Sequence, residues 1–117
     1  YIGFLQSEIF SKIGALSGGN YPPEHFLQPG KHIYQAYPYL MDEVIKPNKN
    51  IKLYLDCGGR DTDALFLEQT LHMHKSLLQL GYREGRDIEL IIDRSAPHNE
   101  SAWAERFPKM LRFFFSR

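Results

Sequence analysis

Ile51-Lys-Leu-Tyr-Leu-Asp-Cys-Gly-Gly59 is followed by Arg60-Asp61-Thr62-Asp63 and then by a long stretch of helical periodicity. Ile51, Leu53 and Leu55 recur at alternate positions, the period of a β-strand, and the paired glycines stop it. From Asp63 to Leu80, the residues Leu67, Leu71, His74 and Leu78 recur at steps of four and three, flanked by Phe66, Met73 and Leu77. That spacing predicts an amphipathic helix. Asp61, Thr62 or Asp63 is suited to cap its start, and Gly81 stands where a left-handed C-terminal residue belongs. Ile88-Glu-Leu-Ile-Ile-Asp93, rich in β-branched residues, reads as the next strand. Strand, helix, strand is the βαβ pattern, so the chain is expected to be α/β with a parallel sheet.

Working outward, Lys12-Ile-Gly-Ala-Leu-Ser17 reads as an earlier strand closed by Gly18-Gly19. Downstream, Asn99 or Ser101 would cap a final helix carrying Ala102, Trp103, Phe107, Leu111 and Phe114, which Pro108 is expected to interrupt or restart. Residues 19–50 fit the pattern less well, because Tyr21-Pro-Pro, Gln28-Pro-Gly and Tyr37-Pro-Tyr break them, with short helical turns expected between Ile33 and Ile45. They read as an excursion over one end of the sheet, where binding loops often sit. Without a repeat or a linker, residues 1–117 are read as a single domain. The opening Tyr1-Ile-Gly-Phe-Leu5 has no signal-peptide character and reads either as the last turn of a helix in the interior of something longer or as a trimmed or processed terminus.

Composition narrows the classes. Apolar residues make up 43% of the chain and aromatics 14%, which excludes a disordered or low-complexity protein. Fourteen basic side chains balance 14 acidic ones, so no electrostatic case exists for a nucleic acid or an anionic membrane as partner. No apolar run approaches the roughly 20 residues that span a bilayer. The lone Cys57 excludes an internal disulfide. His72 and His74 are two apart and point to different helix faces, and His25 and His32 have no Cys or carboxylate at ligand spacing. Neither a metal nor another cofactor is therefore expected. Tyr34, Tyr37 and Tyr39 form an aromatic cluster that either lines an acyl pocket or packs.

Two residues stand out as candidates for chemistry. Asp61 follows one strand and His98, in Ser95-Ala96-Pro97-His98-Asn99-Glu100, follows the next. In a parallel sheet both loops emerge at the carboxyl edge, so the two side chains can meet. A carboxylate that accepts from one imidazole nitrogen fixes the tautomer and leaves the other nitrogen free as a base. The plainer alternatives are a helix cap for Asp61 and a solvated loop histidine for His98. Cys57 as a nucleophile is the weaker reading, since it follows a buried-looking strand and suits a small core residue.

Ala96-Pro-His-Asn-Glu-Ser-Ala-Trp-Ala-Glu-Arg-Phe-Pro108 strongly resembles the C-terminal signature of the esterase family of α/β-hydrolases that includes enterochelin-esterase-like enzymes and esterase D relatives. Tyr54-Leu-Asp-Cys-Gly-Gly-Arg-Asp61 is similar to the same family's strand and acid loop, and Phe10-Ser-Lys-Ile-Gly-Ala-Leu-Ser-Gly-Gly19 to the segment that follows its nucleophile helix. The resemblance runs almost end to end, and the His-Asn-Glu-x-Ala-Trp block is its specific part. It implies the C-terminal half of an α/β-hydrolase fold, about three parallel strands with flanking helices. It also implies a small-molecule ester as substrate, His98 as general base and Asp61 as its acid. Asp56 is the rival acid, at the strand's end, where a structural role is expected. Trp103 and Phe107 are expected to pack the last helix on the sheet, with Asn99 and Glu100 at its cap.

One departure from the family pattern is decisive. The Gly-x-Ser-x-Gly nucleophile turn is absent: Ser7, Ser11, Ser17, Ser76, Ser95, Ser101 and Ser116 all lack the flanking glycines. The resemblance therefore implies a serine-dependent ester hydrolase whose nucleophile and oxyanion hole lie outside these residues, the chain supplying the histidine and the acid. The other reading is a non-catalytic α/β module with esterase ancestry, inactive alone. An open parallel sheet edge invites pairing with a second copy. The isolated chain is therefore expected to form a homodimer or to aggregate, and a monodisperse monomer at high concentration in light scattering would contradict it.

Overall fold

The computed structural model describes residues 6–18 and 50–116. The predicted excursion, with His25, His32, Tyr34, Tyr37 and Tyr39, lies outside the described residues, as does Tyr1–Leu5. Within them the order is β1 (Lys12–Leu16), β2 (Lys52–Gly58), α1 (Asp61–Gln79), β3 (Ile88–Asp93) and α2 (Glu100–Phe115). The strands form one parallel sheet in the order β1-β2-β3, a mixed α/β fold.

Strand β2 is central and buried on both faces, with Leu53 and Tyr54 buried on opposite sides and Asp56, Cys57 and Gly58 buried at its end. Ile51 and Leu53 turn to one face, where they join Leu77, Tyr82 and Ile88, with Ile13, Leu55 and Met73 at the margin. Tyr54 turns to the other and packs with Phe113, Phe114, Ile91 and Met110. Helix α1 thus covers one face and α2 the other. Because β2 pairs with β1 from Lys52 to Asp56 and with β3 from Leu53 to Gly58, all three strands end at the same edge.

The helix termini follow from local chemistry. Asn99 caps α2, its side chain accepting from the Ala102 N–H at 3.0 Å. At the end of α1, Gly81 takes φ +98°, the Gly81 N–H donates to Leu78 O and the Tyr82 N–H to Leu77 O. This is the glycine-terminated stop that the sequence predicts, and Tyr82 folds back onto the core beside Leu77. The start of α1 differs from expectation. Arg60 occupies the cap position without a side-chain cap hydrogen bond, and Asp61, Thr62 and Asp63 lie within the helix.

Pro108 neither interrupts nor restarts α2, which runs unbroken through it. The ring faces out from an exposed position, where the lost hydrogen bond is left to solvent. The inward row of α1 is also displaced from the predicted one. Phe66, Thr70 and Leu77 are buried, whereas Leu71 and Leu78 are each 38% exposed. Both rows are apolar, and the sheet selects the row in phase with Asp63. Phe107, at 45%, and Leu111, at 40%, are likewise exposed, and the α2 core is made by Phe113 and Phe114.

The row assignment predicts an asymmetry between neighbours. Leu77→Ala should cost about 2–5 kcal/mol in urea unfolding and Leu78→Ala less than about 1 kcal/mol. Equal costs would contradict the helix orientation.

Candidate functional site

The carboxyl edge of the sheet collects the loops that follow β1, β2 and β3. Two of them are stitched together by backbone: the N–H groups of Gly59 and Arg60 both donate to the carbonyl of Ala96 at 3.2 Å. The approach is close enough to require glycine. A Cβ on Gly58 would fall 2.4 Å from both Ala96 O and Asp63 Oδ2, and one on Gly59 would fall 2.6 Å from the Arg94 backbone.

This brings His98, two residues beyond Ala96, against α1. Its partner there is Asp63, whose Oδ1 bonds to Nδ1 of the imidazole. Asp63 is fully buried, while the His98 side chain keeps 30% of its surface exposed. Among the described residues no group bonds to Nε2 of His98. The ring is held edge-on by Phe66 of α1, with centroids 5.7 Å apart, and by Trp103 of α2 at 5.0 Å. Trp103 therefore packs on the histidine, and its role goes beyond fastening α2 to the sheet.

Asp61 is not joined to His98. It is the first residue of α1, exposed, with φ +53°, and no hydrogen bond or ion pair links it to His98 among the described residues. The reason is helical phase: residues two apart are turned by roughly 200° about the axis, so Asp61 and Asp63 face opposite ways. The steps from Asp63 to Phe66, Thr70 and Leu77 are the signal that identifies the inward carboxylate.

The second oxygen of Asp63 is as fully engaged as the first. Oδ2 accepts from the Gly58 N–H at 2.6 Å and from the Ser17 hydroxyl at 2.5 Å. Arg106, buried in α2, donates from Nη2 to Ser17 Oγ at 2.7 Å and lies 3.6 Å from Asp63 Oδ2. Its Nε pairs with Asp56 Oδ1 at 3.2 Å. Asp56, at the end of β2, also accepts the Ser17 N–H at 3.1 Å. Burial raises the Asp56 carboxyl above its usual range, with Arg106 and the Ser17 N–H pulling it back down. Asp56 is thus a structural partner of arginine, placed away from the histidine's polar contacts.

An imidazole with one nitrogen on a buried carboxylate and the other open can accept a proton from a nucleophile or a water. Ser17 is not placed to be that nucleophile, since its hydroxyl lies on the carboxylate rather than on the imidazole. Cys57 is buried, and burial pushes its thiol up to about 11. Among the described residues no group of three or more His, Cys, Asp or Glu could hold a metal ion, and no helix is long and apolar enough to cross a membrane. No family model, no curated protein and no solved structure matches the chain.

Two outcomes follow from this geometry. With a thiol at about 11, only about one molecule in a thousand carries thiolate at pH 8, so Cys57 should resist iodoacetamide until denaturant is added. Rapid native alkylation would contradict its burial. Gly58→Ala should drive Asp63 or the Ala96 turn aside, at a cost of about 1–3 kcal/mol, read by chemical denaturation.

Proposed function

We propose that these residues are the histidine–acid part of a serine-dependent carboxylic ester hydrolase, the C-terminal half of an α/β-hydrolase fold. His98 is the general base and Asp63, rather than Asp61, its orienting acid. The observation that carries the reading is a fully buried carboxylate on Nδ1 of a partly exposed imidazole whose Nε2 has no hydrogen-bond partner among the described residues. The parallel sheet supports it, with the acid in the first turn of α1 and the base in the loop after β3, as does the resemblance of Ala96–Pro108 to the esterase signature.

In this reading Nε2 takes the proton of a serine hydroxyl as that oxygen attacks the ester carbonyl. Asp63 holds the tautomer and stabilises the imidazolium that forms. His98 then returns the proton to the departing alkoxide, leaving an acyl-enzyme. A water activated by the same nitrogen releases the acid. None of the serines in the chain has the required flanking glycines, so the nucleophile and oxyanion donors come from outside the 117 residues. The chemistry uses no cofactor, and the substrate is a small-molecule ester.

A second reading takes the 117 residues by themselves as a non-catalytic α/β module. The engagement of Ser17 by Asp63 and Arg106 favours it for the isolated chain. Ester turnover by the purified 117-residue chain, blocked by a serine-directed phosphonate, would refute it.

The test uses p-nitrophenyl acetate and the full-length protein that carries these residues. His98→Ala and Asp63→Asn should each lower kcat by on the order of 10⁴-fold, and Asp61→Asn by less than about threefold. Activity near wild type in His98→Ala would sink the assignment. Loss in Asp61→Asn with retention in Asp63→Asn would return the acid to Asp61.

A further inference from the structure

Arg106 is 1% exposed, and neither it nor Ser17 performs a step of acyl transfer. Both nevertheless converge on the carboxylate beneath His98. The Ser17 hydroxyl is used twice, accepting from Arg106 Nη2 at 2.7 Å and donating to Asp63 Oδ2 at 2.5 Å. Its backbone is held at φ +49°, a region that residues with side chains seldom enter, while its N–H donates to the Asp56 carbonyl at 2.9 Å. Ser17 is thereby fixed at the end of β1, where its side chain bridges the arginine and the acid.

The consequence lies in how Asp63 is oriented. Oδ2 receives the Gly58 N–H, the Ser17 hydroxyl and the field of the Arg106 guanidinium, from three separate elements. A carboxylate gripped in this way cannot rotate about its Cβ–Cγ bond, and Oδ1 is left for the imidazole alone. We infer that Ser17 and Arg106 are positioning residues that lock the Asp63 carboxylate so that a single oxygen faces His98. The inference rests on His98 being the base of the proposed hydrolase, and it adds residues from β1 and α2 to that site.

A purely structural buried ion pair would also tie these elements together, so the test must separate orientation from stability. Ser17→Ala and Ser17→Gly both remove the hydroxyl, but they affect the backbone oppositely, since glycine relieves the left-handed strain and alanine does not. In the full-length protein, assayed on p-nitrophenyl acetate, orientation predicts kcat lower by about 10- to 100-fold in both variants. KM should stay within about twofold, and the loss should be independent of their melting temperatures. Arg106→Lys, which keeps the charge and loses the planar fork, should show the same kcat-selective loss. Activity that follows the melting temperatures, or that stays within about twofold of wild type while His98→Ala is inactive, would overturn the inference and leave the hydrolase reading standing. Activity in His98→Ala would remove both.

Discussion

The buried carboxylate of Asp63 is the constraint around which the described residues are organised. Removing a carboxylate from water is costly unless its oxygens are paired. Here the partners come from every described element: Ser17 after β1, Gly58 at the end of β2, His98 in the loop after β3 and Arg106 in α2. Two carboxylates, Asp56 and Asp63, face one guanidinium, and of the two only Asp63 bonds to the imidazole.

The sheet makes such convergence possible. Parallel pairing sends every strand's end to the same edge, and Gly58-Gly59 lets the loop after β2 lie on the turn before His98 with backbone contact at Ala96 O. Phe66 and Trp103 then limit the imidazole to one plane without using its nitrogens. The same two-sided covering that buries Tyr54 and Leu53 on opposite faces of β2 brings α1 and α2 to the edge, where Asp63 and Arg106 meet.

Much of this is legible in the sequence, and the remainder is missed for identifiable physical reasons. The first two strands are marked by apolar residues and glycine stops, and the third by its β-branched residues. The Gly81 stop and the Asn99 cap follow from local backbone chemistry, which needs no tertiary contact. The face of α1 is not determined in that way. Leu67, Leu71 and Leu78 form a row as apolar as Phe66, Met73 and Leu77, and only the sheet distinguishes them. The choice between Asp61 and Asp63 depends on the same phase, so one ambiguity produced both differences. In the sequence Arg106 is only one residue of the Ala96–Pro108 run, with no role of its own, because nothing local shows that two buried aspartates await it. Trp103 reads as core for the same reason: its neighbour His98 is brought under it by a loop.

The central claim is that Asp63 holds the Nδ1 proton of His98. Proton NMR of the histidine ring, with ¹⁵N assignment of the tautomer, tests it most directly. The account predicts a strongly downfield Nδ1–H resonance that is lost in Asp63→Asn and unchanged in Asp61→Asn. A resonance that survives Asp63→Asn, or that disappears in Asp61→Asn, would contradict it.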